Sequence, residues 1–124
     1  MDEIKTEKAP DAIGPYSQAV KTNGFVFCSG QIALKPDGTL MKGNIRKQTI
    51  RVMENLKSVL EASGSGFEKV VKTTVYLADI DDFIDVNEVY GSYFKGDIKP
   101  ARALVEVSGL PKGVKIEIEC VAEV

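Results

Sequence analysis

Arg102 and Glu117 are the two side chains in this 124-residue sequence whose types and setting best suit a reaction on a small acid. Both lie in the stretch Pro100 to Cys120, PARALVEVSGLPKGVKIEIEC, which reads as two short strands joined through a Pro- and Gly-containing turn region at Ser108–Gly113. Strand side chains alternate between faces. Ala101, Ala103, Val105 and Val107 therefore share one side of the first strand, and Arg102, Leu104 and Glu106 share the other. In the second strand Val114, Ile116, Ile118, Cys120 and Ala122 form an apolar side opposite Lys115, Glu117, Glu119, Val121 and Glu123. Paired as a hairpin, the two strands have one clean core face and one face that mixes charge with Leu104 and Val121. Arg102 and Glu117 fall on that second face. As a cross-strand ion pair they would contribute a few tenths to about 1 kcal/mol, and geometry alone favours this structural role. In a cleft the same two residues acquire chemistry. A guanidinium offers a planar fork that holds a carboxylate through two hydrogen bonds, and a partly buried glutamate can polarise a water or exchange a proton.

The rest of the sequence narrows that chemistry. It contains no histidine, which removes the commonest general base and the commonest metal ligand together. Cys28 and Cys120 fit no metal or redox spacing and are expected as free thiols in a cytoplasmic protein. No metal site and no cofactor is expected. The net charge is −2 and the basic residues are scattered, so the phosphate-gripping surface of a nucleic-acid binder is not expected. The opening MDEIKTEKAPDAIG lacks the apolar stretch of a signal peptide, and no later run is long enough to span a membrane.

Three further positions could serve a site. Gly14-Pro15 stiffens the backbone ahead of Tyr16 and presents that ring from a loop, although sequence physics alone favours a loop tyrosine that simply packs with its hydroxyl at the surface. Ser29-Gly30 ends a strand where a missing Cβ allows a ligand or another backbone to come close, and a plain strand-ending turn explains the glycine as well. Asn87 lies one residue off the buried stripe of a helix, as a surface amide or the tether of a loop.

The elements that must position these residues follow from pattern. Ser17–Thr22 and Phe25–Ser29 flank Asn23-Gly24, a strong hairpin signal. From Asn44, a plausible N-cap, to about Ala62 the apolar residues Ile45, Val52, Met53, Leu56, Val59 and Leu60, with Thr49, recur at helical spacing, and Gly64 and Gly66 stop the helix. Val70–Ala78 is a β-branched strand. Asp81 or Asp82 caps a second helix whose buried stripe is Phe83, Val86, Tyr90, Tyr93 and Phe94. The resulting order is ββαβαββ. Right-handed crossovers place both helices on one face of a single mixed sheet, an α+β architecture in one domain, residues 1–124. The opposite sheet face, expected to carry Tyr76, Leu104 and Val121 beside Arg102, Glu117 and Glu119, is then uncovered and suited to self-association, which would create clefts between subunits.

The motif PARALVEVSGLPKGVKIEIEC, together with AIGPYSQAV, FCSGQI, VVKTTVYLADIDDF and the pair Val86-Asn87, resembles the Rid family, the reactive-intermediate deaminases also known as the YjgF or L-PSP endoribonuclease family. The resemblance covers nearly the whole chain in order and points to the imine-deaminating RidA branch. It implies a chorismate-mutase-like fold (that of the bacillus enzyme) and a homotrimer with clefts between subunits. It also implies cofactor-free hydrolysis of 2-iminobutanoate and 2-iminopropanoate, which pyridoxal-phosphate enzymes such as threonine dehydratase release, to 2-keto acids and ammonia. Carried over, Arg102 clamps the substrate carboxylate, Glu117 positions the attacking water and Tyr16 contacts the substrate across the interface. The Ser29-Gly30 backbone lines the pocket, and Asn87 joins the substrate-binding set. One position departs: many of the deaminases have a cysteine two residues after the arginine, and here it is Leu104. Two other functions compete. One is a non-catalytic keto-acid-binding regulator. The other is a ribonuclease or translation inhibitor, which the acidic balance and the missing histidine disfavour.

Overall fold

Backbone hydrogen bonding in the computed structural model, which describes residues 1–124, gathers six strands into one sheet. The elements are β1 (Asp2–Ile4), β2 (Ala19–Thr22), β3 (Phe25–Gln31), α1 (Ile45–Ala62), β4 (Val70–Leu77), α2 (Phe83–Tyr93), β5 (Ala101–Glu106) and β6 (Ile116–Glu123), with single 3₁₀ turns at Phe67–Lys69, Ile80–Asp82 and Pro111–Gly113. The sheet order is β1-β2-β3-β6-β4-β5. Only β4 and β5 run parallel. Both helices pack on one face, as the crossover argument requires.

Local chemistry explains most boundaries. Asn23 (φ 52°) and Gly24 (φ 81°) are both left-handed, the pattern of a two-residue hairpin turn between β2 and β3. Asn44 caps α1 by accepting from the Lys47 N–H at 2.9 Å. The expected stripe, Ile45, Thr49, Val52, Met53, Leu56, Val59 and Leu60, is buried throughout. Asp79, rather than Asp81 or Asp82, makes the side-chain cap ahead of α2, accepting from Asp81 N–H at 3.0 Å. Phe83 departs from the expected buried stripe and is 43% exposed, because it begins α2 at the rim of the sheet, whereas Val86, Val89 and Tyr90 reach the core. β1 was not anticipated. Its three residues are polar or half-exposed, and it joins the sheet only by extending the edge of β2.

The larger correction concerns the last two strands. Ala101–Glu106 and Ile116–Glu123 do not form a hairpin, because β4 lies between them. The α2 crossover lays β5 parallel to β4, and the 107–115 connection carries the chain across the end of β4 to its other side. Val107 N–H donates to Leu77 C=O at 2.8 Å and Ala78 N–H to Lys115 C=O at 3.1 Å along that path. Burial explains the choice. Ile116, Ile118, Cys120 and Ala122 are nearly inaccessible and occupy the sheet's interior, whereas β5, with its small alanines, stays at the edge. Register then sets the faces. Arg102 lies opposite Thr73, Leu104 opposite Val75 and Glu106 opposite Leu77, so these three point to the helix side, where Leu104 packs half-buried against the core. Ala101, Ala103 and Val105 share the open face with Lys72, Thr74 and Tyr76, and that face also carries Phe27, Glu117, Glu119 and Val121.

Two buried amides on α1 hold the loops that frame the open end of the sheet. Gln48 Oε1 accepts from Lys115 N–H at 2.9 Å. Asn55, fully buried, donates from Nδ2 to Ile32 C=O (3.2 Å) and Leu34 C=O (2.9 Å) and accepts from Arg51 Nε. Asn55→Ala strands two carbonyls below the surface and is expected to cost about 2–3 kcal/mol. Chemical denaturation with an unchanged m-value would show it, and a loss under 0.5 kcal/mol would contradict the tethering role.

Candidate functional site

The ladder between β3 and β6 is broken beside Ser29 and Gly30. Cys28 pairs with Cys120, but the next paired position is Gln31 with Ile118, a register shift that marks a bulge. Glu117 lies just beyond it on β6, and its side chain lies directly over Gly30. A Cβ at residue 30 would overlap the Glu117 carboxylate. The close approach read from the sequence is therefore made by the chain's own glutamate. Burial pushes the Glu117 carboxyl above the usual range, and the neighbouring negative charge of Glu119 adds to the shift. Glu119 is itself engaged, accepting from Tyr76 Oη at 2.7 Å.

Tyr16 faces the same region from a folded-back loop. Its ring lies on Gly14 (φ 127°), its hydroxyl accepts from Ile13 N–H at 3.3 Å, and the residue remains 54% exposed. The loop is held in place by Gln18, which pattern reading did not single out. This buried amide accepts from Thr6 N–H at 2.7 Å and donates to Pro10 C=O at 2.8 Å. Ser29 locks the same loop to β3: its hydroxyl donates to Ser17 C=O at 2.6 Å and its N–H to Gln18 C=O at 2.9 Å. The Ser29 side chain is thus committed to structure. Tyr16, Ser29, Gly30 and Glu117 together line a cleft of about 590 Å³, with Ile13, Ile32 and Lys112 on its walls.

Arg102 and Asn87 lie elsewhere. Arg102 Nη1 donates to Asn87 Oδ1 at 2.8 Å, and the guanidinium carbon stands 4.9 Å from the centroid of the Tyr90 ring. The ion pair with Glu117 expected from a hairpin does not form. Arg102 lies opposite Thr73 on the helix side, and Glu117 lies opposite Tyr76 on the open side. Besides facing opposite ways across β4, the two are offset by ~10 Å along it. One chain thus carries two separate clusters: an acid over a glycine beside Tyr16, and an arginine on the outer strand tied to an asparagine.

No group of three His, Cys, Asp or Glu side chains converges as a metal site would require. Cys28 and Cys120 are free, buried and opposite each other on β3 and β6. The Cys120 thiol is pushed up by its contact with Cys28 and by burial, so it is a poor nucleophile. No helix is long and apolar enough to cross a membrane.

Comparison with known proteins gives one consistent answer. The family model described as Endoribonuclease L-PSP matches residues 6–124. A RutC family protein of Pyrococcus abyssi is 56% identical over 120 residues, covering 96% of this chain and 94% of the relative. The human 2-iminobutanoate/2-iminopropanoate deaminase is 51% identical over 120 residues, covering 96% of this chain and 87% of that protein. Among solved structures, a Rid family protein of Yersinia pestis superimposes with a TM-score of 0.96 at 49% identity, over 99% of this chain and 98% of the other.

The contact of Glu117 with Gly30 can be tested directly. In Gly30→Ala the carboxylate must swing outward. The variant should fold, and the Glu117 carboxyl, followed by NMR titration, should move down toward its ordinary value of 4.5. An unchanged titration would refute the packing described. The raised value also has a sign for stability. A carboxyl that holds its proton more tightly when folded favours the folded state below its unfolded value and loses that contribution as pH rises through the folded one. Glu117→Gln, neutral throughout, should therefore melt above the wild type at pH 7, with the gap closing below pH 4.5. A gap that widens toward acid would contradict it.

Proposed function

Because the chain belongs to the Endoribonuclease L-PSP family, the Rid proteins, we propose that it is a 2-imino acid deaminase. In this reading it hydrolyses 2-iminobutanoate and 2-iminopropanoate to 2-keto acids and ammonia. The observation that carries the proposal is the Glu117 carboxylate. It is half-buried over Gly30, its affinity for a proton is raised, and it faces a cleft shared with Tyr16. A carboxylate with raised proton affinity is a stronger base toward a bound water.

The protonated imine is already electrophilic at C2, so its hydrolysis calls for no redox group or Lewis acid. Arg102 holds the substrate carboxylate through the donors that Asn87 leaves free. Glu117 orients a water against C2 and takes its proton as the C–O bond forms and the C=N π pair moves to nitrogen. A proton returns to the nitrogen of the tetrahedral carbinolamine, the hydroxyl oxygen forms C=O as the C–N bond breaks and gives up its own proton, and ammonia leaves the keto acid behind. Tyr16 contacts the substrate from the cleft wall. Leu104, in the place where many relatives have cysteine, offers no thiol to this chemistry and packs half-buried toward the core.

Arg102 and Glu117 of one chain face away from each other, so the complete site is proposed to form between copies, Arg102 from one and the Glu117 and Tyr16 cleft from the next. A homotrimer with three such clefts is the assembly we propose. The uncovered sheet face supports it, since Phe27 and Val105 are 49% and 42% exposed there. A cytoplasmic setting is part of the same proposal, supported by two unpaired thiols facing each other in the core.

The test couples the protein to a threonine dehydratase that generates 2-iminobutanoate in situ and follows the decay of the imine. Wild type should accelerate decay, and Arg102→Ala or Glu117→Ala should each lose about 100-fold or more. Co-refolding equal amounts of the two inactive variants should restore about a quarter of the activity, since each cleft then has a one-in-two chance of each intact half. Full activity losses without any restoration would place both residues in one chain's site and overturn the composite arrangement. No acceleration by wild type, with 2-oxobutanoate still bound through Arg102, would leave a keto-acid sensor instead.

A further inference from the structure

The proposed carboxylate clamp depends on where the Arg102 guanidinium points, and Arg102 is an exposed residue on an edge strand. A free arginine there would sample many rotamers, and each must be given up when a ligand binds. The structure supplies two restraints. Asn87 Oδ1 accepts from Nη1 at 2.8 Å, fixing the guanidinium at one corner. The Tyr90 ring lies 4.9 Å from the guanidinium carbon, within the range of a cation–π contact, and limits its tilt. Asn87 and Tyr90 are three residues apart on α2 and so are neighbours on its surface, Tyr90 buried and Asn87 exposed beside it.

Tyr90 is itself held from behind. Its hydroxyl is 2.7 Å from Thr73 Oγ1, a hydrogen bond buried in the core. Thr73 is the β4 residue directly opposite Arg102 in the parallel ladder. The ring is therefore anchored to the same rung of the sheet that carries the arginine. Phe94, with its centroid 4.6 Å from that of Tyr90, packs against the ring as well. The path Thr73–Tyr90–Arg102–Asn87 closes from sheet to helix and back. It leaves Nε and Nη2 without a partner in the chain, the two-donor edge that a carboxylate requires.

We propose that Tyr90, anchored by Thr73, is a positioning residue that holds the Arg102 guanidinium in the orientation that receives a substrate carboxylate. The proposal rests on the deaminase reading for its ligand, but not for the ordering of Arg102, and the two can be separated. The experiment measures the ¹⁵Nε order parameter of Arg102 by NMR, and the dissociation constant of 2-oxobutanoate by calorimetry. Both are taken in wild type, Tyr90→Phe, Tyr90→Leu and Thr73→Val, with melting curves to establish that each is folded.

Tyr90→Leu should lower the order parameter and weaken 2-oxobutanoate binding by about five- to tenfold, the scale of a partly desolvated cation–π contact. Tyr90→Phe and Thr73→Val, which keep the ring but free it, should weaken binding by about two- to threefold. Binding of 2-oxobutanamide, which lacks the carboxylate, should not change. In an Arg102→Met background Tyr90→Leu should add no further loss. An unchanged order parameter would overturn the proposal. So would equal losses for acid and amide, or a further loss in the Arg102→Met background, because those mark a general packing defect. An ordered Arg102 in a wild type that neither binds 2-oxobutanoate nor consumes the imine would overturn the deaminase reading while leaving Tyr90's hold on the arginine in place.

Discussion

β4 is hydrogen-bonded along both edges, parallel to β5 on one side and antiparallel to β6 on the other. Most of what matters in this molecule depends on that placement. A parallel neighbour requires a crossover, and α2 supplies it. The same helix then lies against β5 and brings Asn87 and Tyr90 to Arg102. On the other edge β6 is covered by α1 and flanked by β3, which sets Glu117 on the uncovered face beside the bulge at Ser29-Gly30. Separating Arg102 from Glu117 is thus a consequence of the sheet's connectivity rather than of a local preference.

The electrostatics of the open face follow from the same register. Glu117 and Glu119 share one face of β6, so two carboxylates stand close on a half-dry surface. Glu119 relieves its share by accepting from Tyr76, whose own ionisation is pushed up by that bond. Glu117 accepts no such bond, and burial, together with the charge of Glu119, raises its affinity for a proton. Two chemically identical side chains on one strand therefore stand in different surroundings, one bonded to a hydroxyl and the other lying over Gly30 in the cleft.

The sequence was a good guide wherever a pattern referred only to itself. The α1 stripe from Ile45 to Leu60 has a single solution, because its periodicity defines one buried face without reference to any partner. Asn23-Gly24 likewise specifies its turn locally. The alternation in Ala101–Glu106 separated Arg102 and Leu104 from Ala103 and Val105 correctly, but alternation does not say which set faces the core. That is decided by the strand's neighbour, and small alanines and one leucine make a weak vote on either side. The six residues from Ser108 to Gly113 read as a hairpin turn, although a connection of that length can also step across a strand over ~10 Å. β1 was invisible for a different reason: its three residues hold no apolar pattern of their own.

At the site, legibility followed the same division. Gly30 could be read as a place of close approach, since a missing Cβ is visible in sequence, but only the fold shows that the approaching group is Glu117. Tyr90 could be read only as core. Its periodic position on α2 is correct, and that burial is what conceals its second contact. A ring at the margin of the core has one edge turned toward Thr73 and a face turned toward a cation at the surface. Packing and orientation are then the same interaction. The rigidity that close-packed neighbours give the ring passes to the exposed guanidinium resting on it, so an edge-strand arginine can be ordered without being buried.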